Sequence, residues 1–371
     1  MLVDATAVPA DRGAVGRYVD GLVSALETAG ADLAVACQRA DEERYARLVP
    51  GAQVVAAPTA IAHRAARLAW EQSGLPLVAQ QVAADVIHAP HYSMPLRPGA
   101  PIVVTIHDLT FFTNPEWHQR SKVAFFRRAI KYSTQHARVV VSVSAFSARL
   151  LEEIFPAHAP IVVAPLGVEL ARFDTLDLHD ESTFRDYGLK VDVPFIFFVG
   201  TFEPRKGLDV LLEAFREIAR RDHEVELWLA GQAGWGVGPL EAQIDTHPFH
   251  ARIRRLGFVD DALLPALFRR ARAVAYPSRG EGFGLPVLEA MACGASVVTT
   301  KDTVMADVAG DAARLVPVGN AEALAASLLD VLETSEDDRR QWSRRARERA
   351  EHFTWEACVA QHLVAYEQAR S

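Results

Sequence analysis

Short runs of Val, Ile, Leu and Phe alternate along this chain with stretches whose apolar residues recur every three or four positions. The runs predict strands, and the recurring stretches predict helices between them. In the first half the strand candidates are LVDA (2–5), DLAVAC (32–37), DVIHA (85–89), PIVVTIH (101–107), RVVVSVS (138–144) and PIVVAP (160–165). The second half repeats the theme with PFIFFVG (194–200), VELWLAG (225–231), AVAYPS (273–278), ASVVTT (295–300) and ARLVPV (313–318). These runs do not alternate with polar residues, so each strand is expected to be buried on both faces. That is the pattern of parallel sheets covered by crossover helices.

Between 165 and 193 the strand signals stop, and acidic residues and turn formers take over. Two doubly wound α/β domains are therefore predicted, spanning 1–168 and 169–354, with a C-terminal helix of about 355–371 packing back on the first. Two such sheets would leave a cleft at the carboxyl ends of their strands, the usual place for a ligand. Residues 165–193 would be its hinge. The charged stretch SEDDRRQWSRRARERAEHF (335–353) reads as a solvated helix carrying i, i+4 ion pairs.

A length of 371 residues suits two domains, and a half-apolar composition supplies their cores. The net charge of -8 argues against a general nucleic-acid binder, since phosphate backbones call for a basic face. Any anion site must be local. Three widely spaced cysteines, Cys37, Cys293 and Cys358, do not suit a disulfide framework and fit a reducing compartment. The stretch MLVDATAVPADRGAVGRY lacks the basic start and apolar run of a signal peptide, and no segment is apolar enough to span a bilayer. A cytoplasmic protein is expected, with peripheral docking at the inner membrane face left open.

The stretch SRGEGFGLPVLEAMACGASVVTT (278–300) carries two glutamates, Glu281 and Glu289, eight positions apart. A strand ends before it, RGEGFG cannot be regular structure, and LPVLEAMACG reads as a helix opened by Pro286 and closed by Gly294. Strand, glycine turn and helix start in that order place backbone N–H groups at the positive end of a helix dipole, a pocket for an anion. Glu289 could accept hydrogen bonds from neighbouring hydroxyls such as those of a ribose, and Glu281 from a sugar. A capped helix with one solvated glutamate is the plainer alternative, which Gly282 and Gly284 make less apt.

In FVGTFEPRKGLDVLLEAF (198–215) a strand ends at Gly200, and Arg205 and Lys206 precede a helix. Two cations at a helix start oppose its dipole, so an anionic ligand is expected there to offset them. In PADRGAVGRYVDGLVSAL (9–26), Gly13 and Gly16 loosen the turn before an amphipathic helix, without completing a dinucleotide fingerprint. His107 and Asp108 follow directly on a strand, where a histidine can contact a hydroxyl or move a proton. SKVAFFRRAIKYSTQHAR (121–138) mixes Lys122, Arg127, Arg128 and Lys131 with Phe125, Phe126 and Ile130; it reads as a core helix with a basic outer side that could meet an anionic membrane.

Taken together, these residues resemble the retaining glycosyltransferases of family GT4, which have the GT-B fold of two facing Rossmann-like domains. The resemblance spans nearly the whole chain. It rests on the Glu-x7-Glu pattern of Glu281 and Glu289 around GFG, on FVGTFEPRKG, LGFVDDALLPALFRRARAVAYPS (256–278), TIHD (105–108) and VSAFSARLL (143–151), and on the Gly-rich N-terminal loop. It implies that Glu289 holds the ribose of a nucleotide sugar. Glu281, with the backbone of Gly282, Phe283 and Gly284 and the adjoining Leu285, would hold the donor sugar and its phosphate. Arg205 and Lys206 would bind the diphosphate beside Gly200 and Thr201, the segment Gly257 to Val259 would flank the base, and His107 would contact the transferred sugar. The loop containing Gly16 would sit beneath the diphosphate or the acceptor.

Many members carry an arginine directly after the strand-ending glycine; here that place is Thr201, with Arg205 the candidate to supply the charge. No Asp-x-Asp metal motif stands in a suitable place, so neither metal nor cofactor is expected. HDLTFFTNPEWH with GTFEPRKG looks most like the bacterial branch that uses GDP-mannose to build polysaccharide or glycolipid. The implied partners are a nucleotide sugar and a glycan or lipid-linked acceptor. Alternatives are a UDP-sugar transferase of the same fold, a sugar-nucleotide epimerase, and a non-catalytic partner that kept the scaffold. Oligomeric state is not readable.

Overall fold

The computed structural model describes residues 1–9, 12–176, 179–190, 192–234, 238–260 and 262–371. Ala10 and Asp11 of the Gly-rich N-terminal loop, Asp177, Leu178 and Val191 of the expected hinge, and Asp261 of the 256–278 stretch lie outside the described residues.

The apolar runs form two parallel sheets. The first contains β1 (Leu2–Asp4), β2 (Ala34–Cys37), β3 (Gln53–Ala56), β4 (Ile87–Ala89), β5 (Ile102–Ile106), β6 (Val139–Ser142) and β7 (Ile161–Val163), in the order β3-β2-β1-β4-β5-β6-β7. The second contains β8 (Phe195–Val199), β9 (Glu226–Ala230), β10 (Ile253–Gly257), β11 (Ala273–Tyr276), β12 (Val297–Thr300) and β13 (Arg314–Val316), in the order β10-β9-β8-β11-β12-β13. Both are Rossmann-like and doubly wound. Their strand order reverses between β1 and β4 in the first sheet and between β8 and β11 in the second, and such switch points open a crevice at the strands' carboxyl ends.

Two strands were not expected from the apolar runs, β3 and β10, and each is one of the two edges of its sheet. An edge strand keeps polar residues on its open side: Gln53 is exposed in β3, and Arg254 and Arg255 interrupt β10. Neither therefore reads as a continuous apolar run.

The chain divides into two compact units. One joins Met1–Pro115, Gln119–Gly167 and Phe353–Ser371; the other joins Glu116–His118 and Val168–His352. The first unit's core gathers Ile87, Ile102, Val104, Ile106, Ile130 and Leu151 around its sheet. In the second, Leu211, Phe215 and Ile218 of the helix Leu208–Arg221 pack on Ile196, Phe198, Leu227 and Leu229. The C-terminal helix Trp355–Arg370 lies against the helix Gly13–Thr28 and β5–β7 of the first unit.

The helix Arg120–His136 buries Ile130, Ser133 and Thr134 and exposes Arg120, Lys122, Arg127, Arg128 and Lys131. Among the described residues, no helix is long and apolar enough to cross a membrane.

Candidate active site

In the second unit the loops that follow β8 and β11 meet at the switch point. Lys206 Nζ donates to Glu281 Oε1 (2.6 Å) and to the Tyr276 hydroxyl (2.8 Å), and Arg205 donates to Glu281 Oε2 (2.6 Å). Ser278 Oγ and the Tyr276 hydroxyl also donate to Oε1, at 2.8 and 3.2 Å. Arg205 reaches Glu203 as well, at 3.2 Å.

The two loops are stitched by a main-chain bond and an ion pair. Arg279 N donates to the Arg205 carbonyl (2.7 Å), and Arg279 forms a two-pronged ion pair with Asp209 in the first turn of the following helix. Gly207 makes this approach possible. Its φ is +68°, and a Cβ there would lie 2.1 Å from the Pro277 carbonyl oxygen.

Charge follows from this geometry. Burial opposes ionisation of Glu281, but Arg205 and Lys206 outweigh it and pull the carboxyl down to about 2. Burial and the neighbouring Arg205 push the Lys206 ammonium down, while Glu281 pulls it the other way. Glu281 is thus one anion that these two cations meet.

The turn after Glu281 enters the helix Leu285–Ala292 through Gly284, which has a left-handed φ of +103° and, lacking a side chain, cannot cap the helix with one. The helix starts at Leu285, with Pro286 second rather than first, and Gly294 lies beyond its end at φ +72°. Phe283 and Leu285 are buried. Glu289 is also buried, 3% exposed, at the helix's fifth position. At the end of β8, Gly200 donates to the Ala230 carbonyl (3.0 Å) and Thr201 is exposed. Val259 is half-buried beyond β10, two strands away from β8, next to the 65% exposed Phe258.

The first unit holds His107 at the end of β5. Its Nε2 lies 2.8 Å from the Pro90 carbonyl, which can only accept, so Nε2 carries the proton. Burial lowers the imidazole's affinity for a second proton, against the Pro90 bond and Asp108. Nδ1 is therefore a lone pair able to accept from a hydroxyl. Tyr18 and Tyr92 stand edge-on to the ring, at 5.1 and 5.6 Å between centroids. Asp108 caps Thr110 and accepts from the Tyr92 hydroxyl.

Gly16 departs from expectation. The helix already begins at Gly13, so Gly16 sits inside its first turn, and a Cβ there would meet Arg12 Cβ at 2.5 Å. It makes room for Arg12, whose φ is +54° and which pairs with Asp20 and Asp41, rather than loosening the turn.

Arg205, Lys206 and Glu281 are thus brought together. Gly282, Gly284 and Leu285 continue the same loop and helix, and His107 and Gly16 belong to the other unit. Tyr276, the last residue of β11, and Ser278 and Glu203 in the loops after β11 and β8 take part in the cluster but carried no sequence signal beyond that placement.

Residues 15–172 match the model of Glycosyltransferase Family 4, and residues 179–349 match that of Glycosyl transferases group 1. The chain is 32% identical over 285 residues to the O-antigen chain mannosyltransferase B of Escherichia coli, covering 76% of this chain and 74% of that protein. This chain belongs to glycosyltransferase family 4.

This glycosyltransferase is also 33% identical over 300 residues to the phosphatidyl-myo-inositol mannosyltransferase of Mycolicibacterium smegmatis, covering 76% of this chain and 71% of the relative. The fold of the sucrose-phosphate synthase from Thermosynechococcus elongatus is similar to it, with a TM-score of 0.78 over 99% of this chain and 98% of the other at 20% identity. The glycosyltransferase thus has the Rossmann-like domains of the GT-B fold.

Proposed function

We propose that this glycosyltransferase moves mannose from GDP-mannose to a glycan or lipid-linked acceptor with retention of anomeric configuration. The observation that carries this reading is the Arg205–Lys206–Glu281 cluster at the switch point of the second sheet, in a chain whose relatives are a mannosyltransferase of O-antigen and one of phosphatidyl-inositol. Arg205 and Lys206 would carry the charge of the leaving diphosphate. Three donors crowd Glu281 Oε1 and Arg205 meets Oε2, so a donor-sugar hydroxyl would arrive on the Oε2 side.

The remaining roles follow the same logic. Glu289 would hold the ribose; the backbone of Gly282, Phe283 and Gly284, with Leu285, would meet the phosphate; Gly200 and Thr201 would border it; Val259 would flank the base. His107 Nδ1 would accept from a hydroxyl of the transferred sugar, and the loop leading to Gly16 would border the diphosphate or acceptor. The bond from the anomeric carbon to the phosphate oxygen breaks, and the acceptor oxygen bonds to that carbon on the same face. The acceptor proton passes to the leaving phosphate oxygen, releasing GDP. With Arg205 and Lys206 turned to the leaving diphosphate, transfer would need no divalent metal, so transfer in EDTA should match transfer in Mg²⁺.

We also infer that the acceptor is met at a lipid surface. Five Lys/Arg and no acidic residue lie in the helix Arg120–His136 of a chain with net charge -8. Tyr132 of this helix donates to the carbonyl of Leu96, which is 64% exposed. A cationic face beside an apolar side chain suits anionic lipid.

A thermal-shift panel of GDP-, UDP-, ADP- and dTDP-sugars tests the donor, since a ligand of the folded state raises the melting point by mass action. GDP-mannose should give the largest rise, and transfer of labelled mannose should vanish in Lys206→Ala. A rise with UDP-sugars alone would replace the donor; no rise with any would overturn the site.

A further inference from the structure

Beneath His107 runs a hydrogen-bond chain whose members are all buried, exposed by 1% or less: Tyr18, His88, Thr105, His362 and Tyr366. Tyr366 Oη lies 2.9 Å from His88 Nδ1, and His88 Nε2 lies 2.8 Å from Thr105 Oγ1. Thr105 Oγ1 lies 2.8 Å from Tyr18 Oη, Tyr18 Oη lies 2.9 Å from His362 Nε2, and His362 Nδ1 lies 2.8 Å from the Cys358 carbonyl oxygen.

The proton order follows from the last bond. A carbonyl accepts only, so His362 Nδ1 carries a proton. Burial pushes His362 down to about 4 and His88 well below the ordinary histidine range, so both rings are neutral. His362 Nε2 is then a lone pair, and the Tyr18 hydroxyl must donate to it. Tyr18 oxygen accepts from Thr105, Thr105 oxygen accepts from His88 Nε2–H, and His88 Nδ1 accepts from Tyr366. Each hydroxyl gives one bond and takes one, except Tyr366 at the head of the chain. Five donors point in one direction, and the chain begins and ends on the C-terminal helix.

Tyr18, inside this chain, is the member whose ring meets His107. Its hydroxyl is held from two sides, and its ring makes a T-shaped pair with His107 at 5.1 Å between centroids and 88°. Thr105, the other pivot, lies two residues before His107 on the same strand. We propose that His362 of the C-terminal helix is a positioning residue for sugar transfer: by accepting from Tyr18 it fixes the proton order of this chain and the tilt of the ring that orients His107. The proposal rests on the reading that His107 meets the transferred sugar.

Long-range ¹H–¹⁵N imidazole correlations of the full chain with labelled histidine test it without any substrate. The expected pattern is His362 protonated on Nδ1, and His88 and His107 on Nε2. His362→Leu, which cannot accept, should shift the His107 resonances and lower kcat about tenfold with the donor KM unchanged. His362→Gln can donate to the carbonyl and accept from Tyr18, so it should restore both. Should His362→Leu fail to fold, Tyr18→Phe removes the hydroxyl while keeping the ring, and should give the same pair of changes. A proton on His362 Nε2, or His107 resonances that stay unmoved in the folded variants, overturns the proposal. Resonances that shift as expected in a protein that transfers no sugar would uphold the positioning of His107 and sink the transferase reading instead.

Discussion

Lys206 Nζ and Glu281 Oε1 lie 2.6 Å apart, though the residues are 75 positions apart in the chain and each side chain is only 10% exposed. The pair ties the loop after β8 to the loop after β11 and sets two cations at the switch point of the sheet. Removing the carboxylate leaves a buried ammonium beside Arg205 with its main counter-charge gone. Glu281→Ala is expected to cost about 3 kcal/mol, the lower end for breaking a buried pair. In a domain of this size that is a melting-point drop of roughly 6–12 °C, readable by calorimetry.

The same pair gives an acid dependence. The folded value of Glu281, about 2, lies below its ordinary 4.5, so the unfolded chain binds more protons between the two. Stability from this group is complete above about 4.5 and is lost as pH falls through about 2. The difference amounts to about 3 kcal/mol. Urea unfolding of wild type and Glu281→Gln at pH 7, 5 and 3 should show a gap that narrows toward acid; a constant gap would contradict the assignment.

Gly207→Ala should be among the costliest single-methyl additions in the second unit. The residue has φ +68°, and the new Cβ would sit 2.1 Å from the Pro277 carbonyl oxygen. The left-handed backbone alone costs about 1–2 kcal/mol, and the clash adds to it by pushing the two loops apart. Thermal melting should fall, and with it the response to GDP-mannose. A variant that melts like wild type would mean that the loops do not need this contact.

Binding to lipid is expected to depend on charge. Arg128→Gln with Lys131→Gln removes two exposed cations, worth about 1 kcal/mol each at an anionic surface, so affinity should fall roughly 30-fold. Co-sedimentation with phosphatidylglycerol vesicles measures this, with phosphatidylcholine as the neutral control. Equal binding to both lipids, or an unchanged affinity in the variant, would remove the membrane reading.

Much of the fold was legible because it is written in local periodicity. Eleven of the strands lie inside continuous apolar runs, and burial on both faces of a parallel sheet is what produces such runs. β3 and β10 escaped because polar residues break their runs, Gln53 in β3 and Arg254 with Arg255 in β10. The glycine turn before Leu285 and the cation pair before Leu208 were legible for a similar reason: helix starts and left-handed turns demand particular residues at particular places.

What only the tertiary structure decided is which distant residues meet. No spacing in the sequence says that Glu281 meets both Arg205 and Lys206, or that Tyr276 and Ser278 share that carboxylate. Nor does it join His88, Thr105 and Tyr18 to His362, up to 344 positions away. Local patterns are set by backbone conformation and burial within a few residues. Ion pairs and hydrogen-bond order depend on distances across strand ends, and only the packed chain supplies those.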